Sequence, residues 1–244
     1  MMLKDRVLLV TNVSQFAGHG LSRVALAEGA RVIAHDRGFA AVAMRQAYEA
    51  EFPGGTALAA QDATALADEV LRVAGRIDAL VNNDAFPALR AKLADADMDQ
   101  YRAAFETMAV RPLALTQKIV PLMQRQGHGR VVFVSSAAPL RGIANYSLYV
   151  STRAATLGLV QSLAKELGRD GITVNAIGSN YVENPDYFPP SLTDNPEAMR
   201  RMTAQIPLGR LGKPEELAAA ICFLCSDGAG FITGHTLPHA GGWA

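Results

Sequence analysis

The chain has 244 residues, half of them hydrophobic, and its 23 lysines and arginines balance 23 aspartates and glutamates. That length fits one α/β domain with a large core, and the zero net charge leaves no electrostatic footprint for nucleic acid or an anionic membrane. No apolar run approaches a membrane span, and "MMLKDRVLLVTN" enters a strand-like segment with no signal-peptide pattern, which predicts a cytoplasmic protein.

The first apolar run, near 6–11, leads into a turn and a helix-like segment, and a second run at 31–35 ends at Asp36. This is the layout of a βαβ unit that seats a dinucleotide phosphate on a helix N-terminus. Such a turn needs glycines so that the backbone can approach the pyrophosphate, yet Asn12 and Phe16 stand at two of the expected glycine positions. Asp36 has two readings: a ribose ligand of a NAD enzyme, or a local cap for the helix that follows. "FPGG" (52–55) turns the chain into a third strand near 56–60, and a fourth lies near 78–82. A long helix is predicted around 97–126, kinked at Pro112, then a strand at 130–135, a helix from about 147 to 168, and strands at 172–178 and 235–238. Strands alternating with helices imply parallel pairing with right-handed crossovers. The predicted fold is a single-domain, doubly wound Rossmann-type parallel sheet of about seven strands, covered by helices on both faces and spanning residues 1–244.

One connection breaks the rhythm. "SNYVENPDYFPPSLTDNP" (179–196) follows the sixth strand and carries four prolines and three aromatics. It is too long and proline-rich for an ordinary connection, and it sits past the carboxyl end of a strand, where open α/β sheets bind ligands. Cys222 and Cys225 lie on an apolar helix starting at Pro214 and read as buried core thiols. The five histidines show no metal-ligand spacing, so no metal is assigned.

Ser136 follows the fifth strand, and "SLYVSTRAA" holds Tyr149 and Arg153 four residues apart, on one face of a helix. A permanent cation there favours tyrosinate over tyrosine, so Tyr149 could serve as a general base while Ser136 hydrogen-bonds the substrate oxygen. Taken alone, the pair reads more readily as an amphipathic core tyrosine and a surface arginine.

The segments "LLVTN", "LVNNDA", "VVFVSSAA", "YSLYVSTRAA", "GITVNAIG" and "PLGRLGKPEELAAAICFLCSDGAGFITGHTLPHAGG" together resemble the short-chain dehydrogenase/reductase superfamily over essentially the whole chain. The superfamily uses Ser…Tyr-x-x-x-Lys with an asparagine on the preceding long helix, and the spacing of Ser136 and Tyr149 matches it. Four departures stand out. Arg153 replaces the lysine, Phe16 intrudes in the glycine turn, Met108 replaces the asparagine, and Ser179-Asn180-Tyr181 replaces the Pro-Gly after the sixth strand. Each weakens nicotinamide binding or use, while the Ser/Tyr/cation trio survives.

This combination resembles the halohydrin dehalogenases, a cofactor-independent branch of the superfamily. The resemblance implies Ser136, Tyr149 and Arg153 as catalytic residues, no cofactor, and a halide pocket in place of the nicotinamide site. That pocket would use Phe16 and the loop at about 179–195 from Ser179 on, with Asn180, Tyr181 and Val182 offering backbone N–H groups and Tyr187 and Phe188 closing its side. Asp84, in "VNNDAF", matches an aspartate of the dehalogenase pattern and is expected to orient Arg153 or connect it to water; a helix-capping role is the alternative. Expected ligands are haloalcohols, epoxides and halide or other small anions, and the expected assembly is a homotetramer built by pairing the long helices. Trp243 stands too close to the last strand to be assigned to the site. The competing readings are a divergent NAD(P)-dependent oxidoreductase and a non-catalytic binding module on the same fold.

Overall fold

A computed structural model describes every residue except Asp186, which belongs to the 179–196 connection. The strands are β1 (Val7–Val10), β2 (Arg31–His35), β3 (Thr56–Leu58), β4 (Ala79–Asn82), β5 (Gly129–Ser136), β6 (Ile172–Ser179) and β7 (Thr236–His239). They differ from the sequence expectation by one or two residues at their ends, where side-chain pattern is weakest. All pair in parallel, in the order β3-β2-β1-β4-β5-β6-β7. The order reverses between β1 and β4, so the crevice at their carboxyl ends is the position where a doubly wound sheet receives a ligand.

The helices are α1 (Gly18–Ala27), α2 (Val42–Glu51), α3 (Ala63–Ala74), α4 (Met98–Phe105), α5 (Arg111–Gln126), α6 (Ala138–Arg141), α7 (Ser147–Leu167), α8 (Pro190–Thr193), α9 (Pro196–Thr203) and α10 (Pro214–Cys225). Successive strand residues point to opposite faces, which gives two cores. Leu8, Val10, Val32, Val81 and Val134 pack under α1, α2 and α10. Val7, Leu9, Leu80, Val131 and Phe133 pack under α3, α5 and α7. Cys222 and Cys225 are buried in the first core, where loss of hydration pushes the Cys222 thiol up to about 12 and that of Cys225 well above its ordinary value. They are packing residues with no thiolate to offer.

The long helix differs from its expected form. Pro112 does not kink a continuous helix; it sits in the first turn of α5, and Glu106–Val110 forms a π-helical turn between α4 and α5. The cause is local. The Arg111 N–H reaches back to the Glu106 carbonyl, while proline has no N–H for the Met108 carbonyl. That carbonyl instead accepts the Thr156 hydroxyl of α7 at 3.2 Å. Met108 is thereby buried against α7, beside the helix that carries the catalytic candidates. Among the described residues no helix is long and apolar enough to cross a membrane.

Candidate active site

Every expected site residue except Asp84 lines one cavity of about 260 Å³ at the carboxyl ends of the central strands. Ser136 ends β5, and its Oγ accepts the Ala138 N–H at 3.1 Å. The hydroxyl proton therefore remains for a ligand. Tyr149 and Arg153 stand one turn apart on α7, with the guanidinium carbon 5.5 Å from the tyrosine ring centroid. Arg153 is buried, and its Nη1 donates to the carbonyls of Asp84 and Val134, both at 3.0 Å. Those two carbonyls belong to the segments following β4 and within β5, so the sheet itself fixes the cation beneath the tyrosine.

Asp84 holds Arg153 through its backbone, and its side chain points the other way. The carboxylate faces a second cavity, lined also by Asn12, His35 and Arg37, and accepts from Asn12 Nδ2 at 2.8 Å. Asp84 therefore meets Arg153 through its main-chain carbonyl, while its carboxylate is engaged by Asn12. Burial raises the Asp84 carboxyl to about 7, against the lowering pull of the Asn12 hydrogen bond and the charges of Arg153 and Arg37. From about pH 4 to about pH 7 the unfolded chain has lost this proton while the folded protein keeps it. Stability contributed by the neutral carboxyl is lost as pH rises through that window and is level above it. Asp84→Asn is expected to raise Tm over wild type by a margin that grows from pH 5 to pH 7 and then stays constant, reaching several degrees, on the order of a few kcal/mol. A margin independent of pH would refute the assignment.

At the other wall, Phe16 adopts a left-handed backbone conformation (φ 38°), as does Asn12 (φ 48°). For a bulky aromatic this is a strained geometry, held only where surroundings over-determine it. The Phe16 ring meets the Tyr187 ring edge-on at 6.3 Å, and the Tyr187 hydroxyl donates to the Phe86 carbonyl at 3.2 Å. The glycine turn is closed by this pair. Asp36 is committed as well: it accepts from the backbone N–H and hydroxyl of Ser14 and from the Gly38 N–H at 2.9 Å. It caps the 3-10 turn Arg37–Ala40, so of its two sequence readings the geometry provides the local one.

The turn after β6 needs a correction. The Ser179 hydroxyl donates to the Ser135 carbonyl at 3.0 Å, the Asn180 N–H to the His239 carbonyl at 3.1 Å, and the Tyr181 N–H to the Asn180 Oδ1 at 3.0 Å. The parallel bridge between Val182 and Gly212 uses the Tyr181 carbonyl and the Glu183 N–H, leaving the Val182 N–H without a partner among the described residues. Of the expected Asn180, Tyr181 and Val182 amides only the last is free, because the His239 carbonyl engages the first and the Asn180 side chain the second. Phe188 packs beside Tyr181 at 6.4 Å between centroids.

Sequence reasoning passed over Asn184. Its side chain accepts from the Tyr187 N–H and donates to the Val182 carbonyl, both at 2.9 Å, folding the loop over the cavity. The Asn-Pro step at 184–185 was the available signal, since that dipeptide favours turn initiation. Among the described residues no group of His, Cys, Asp or Glu side chains is arranged to hold a metal ion.

The family model for enoyl-(acyl carrier protein) reductase matches residues 17–244. A 3-oxoacyl-[acyl-carrier-protein] reductase of Thermotoga maritima is 31% identical over 99% of both chains. A solved structure described as a dehalogenation enzyme is 66% identical, covers all of both chains and superposes with a TM-score of 0.98. A halohydrin dehalogenase bound to ethyl (2S)-oxiran-2-ylacetate is 30% identical over 97% of this chain and 96% of its own, with a TM-score of 0.92. An oxidoreductase-type fold whose nucleotide turn is closed by Phe16, and whose Ser136, Tyr149 and Arg153 still share one cavity, thus has its counterparts among dehalogenases: the chain belongs to the short-chain dehydrogenase/reductase superfamily, on its halohydrin dehalogenase branch.

Proposed function

We propose that this chain converts vicinal haloalcohols to epoxides, with Ser136, Tyr149 and Arg153 as the catalytic residues and the 179–195 loop as the halide and substrate loop. The observation that carries the reading is the Phe16–Tyr187 contact, which closes the dinucleotide turn while leaving the Ser/Tyr/Arg constellation open to a small ligand. The bound epoxide of one relative and the 66% identity of another support it.

The chemistry needs no redox partner. The substrate hydroxyl donates its proton to the Tyr149 oxygen while the Ser136 O–H donates to the same substrate oxygen. That oxygen forms a bond to the adjacent carbon, the carbon–halogen bond breaks with its electron pair, and halide departs on the opposite side. Carbon gains and loses one bond each, and no hydride moves. Arg153, beneath the ring, stabilises the negative phenolate oxygen. The Val182 N–H and the electropositive ring edges of the Phe16–Tyr187 wall suit a large, weakly hydrated anion. In the reverse direction the same site opens epoxides with halide, azide, cyanide or nitrite. Exposed Met98, Phe105 and Val110 on α4 and the π turn suit pairing of the long helices between copies, as a homotetramer requires.

Purified protein given a simple vicinal bromoalcohol, with no nucleotide added, is expected to release bromide and form epoxide in equal amounts. Absence of release from several such substrates, together with saturable NADH binding, would replace this reading with that of a divergent oxidoreductase.

A further inference from the structure

The only tryptophan of the chain is its penultimate residue, Trp243, and it is buried. Two glycines put it there. Gly241 and Gly242 both have left-handed backbone angles (φ 60° and 85°), and a side chain at Gly241 would collide with Ile206 at 2.6 Å. The Gly241 carbonyl accepts the Leu208 N–H at 3.1 Å, and the Trp243 N–H closes on the Ala240 carbonyl at 3.0 Å. The chain end is therefore a built turn that folds back toward the cavity.

Trp243 then meets two walls of the site. Its ring packs with Ala137, the neighbour of Ser136, and stands edge-on to Tyr181 at 5.9 Å. From α6, Arg141 places its guanidinium carbon 4.7 Å above the indole and donates from Nη1 to the Trp243 carbonyl at 2.8 Å. The residue so braced is Tyr181, which has a left-handed backbone (φ 55°) immediately before the free Val182 N–H. A tyrosine held in that conformation relaxes unless its neighbours fix it. Its amide and carbonyl are fixed by Asn180 and Gly212, and its ring is held between Trp243 and Phe188.

The geometry points to Trp243, clamped by Arg141, as a positioning residue that sets the Tyr181–Val182 turn and with it the affinity of the cavity for halide. This rests on the dehalogenase reading for the identity of the anion. Trp243 acts through Tyr181 and touches no reacting atom. The cation–π clamp gives a short chain end a fixed angle at the site.

The test is the inhibition constant for bromide, which is independent of the fraction of protein that is active. Trp243→Ala is expected to raise it about tenfold, and Trp243→Phe, which keeps an aromatic ring edge, to restore it to within about threefold of wild type. Arg141→Gln is expected to raise it about threefold, since the indole stays but loses its clamp. In the wild type, bromide titration is expected to change Trp243 emission saturably, with a midpoint at the inhibition constant. An unchanged inhibition constant in Arg141→Gln, with no saturable emission change in wild type, overturns the assignment even if Trp243→Ala fails to fold; an unchanged constant in a folded Trp243→Ala overturns it by itself. Saturable bromide binding by wild type without any turnover of haloalcohols leaves the clamp standing and refutes the proposed reaction instead.

Discussion

Replacing Tyr149 with phenylalanine is expected to lower kcat for halide release by about a thousandfold, within the range that a positioned general base contributes. The argument is one of subtraction. Phenylalanine keeps the ring, its place on α7 and its contact with Arg153, and removes only the oxygen that receives the substrate proton. Ser136 cannot replace it, because a neutral alcohol is too weak a base to hold the substrate proton, and its own O–H is left to donate to the substrate oxygen. Substrate binding draws on the aromatic walls and the Val182 N–H, none of which changes, so KM is expected to stay within about threefold while kcat falls. Halide release by the variant at more than a tenth of the wild-type rate would remove Tyr149 from the role of base.

The second large effect is expected at Arg153. Arg153→Met fills a similar volume without charge and strands the carbonyls of Asp84 and Val134, which now share one Nη1 donor. Each buried carbonyl left unsatisfied costs about 1–3 kcal/mol. Against this, removing a buried guanidinium recovers part of its desolvation cost, so the net loss is expected at about 2–4 kcal/mol, a fall in Tm of roughly 5–15 °C for a domain of this size. Activity measured well below that Tm is expected to fall a further ~100-fold or more, since the phenolate loses its cation. Arg153→Lys keeps the charge on a shorter, non-planar head and is expected to lie between. Full activity in a folded Arg153→Met protein would sink the electrostatic role.

The fold was readable because its signals are local. Val7 to Val10 alternate between two apolar faces within four residues, and Tyr149 and Arg153 meet through helical spacing alone. The occupant of the glycine turn was equally plain, since Phe16 is visible in the chain. What lay beyond sequence was partnership between distant segments. Which amide of the turn stays free depends on the His239 carbonyl of β7 taking the Asn180 N–H and on the Asn180 side chain folding onto that of Tyr181. The Met108 carbonyl left over by the π turn is taken by a Thr156 hydroxyl from another helix, and Asp84 meets Arg153 through a main-chain atom that residue identity does not announce. Trp243 stands so close to the last strand that sequence alone leaves it out of the site, and it does not line the cavity; the two left-handed glycines turn its ring onto Tyr181, which does.

Asp36 bears on how far the turn could be reopened. Its carboxylate holds the backbone and hydroxyl of Ser14, within the turn that Phe16 closes. Exchanging Phe16 for glycine would therefore open the turn without returning a ribose acceptor, because that acceptor has become a structural member of the turn itself. Freeing that carboxylate as well would require Ser14 and Phe16 to change together. The turn is thus latched twice, by the ring that meets Tyr187 across it and by the carboxylate that grips its backbone.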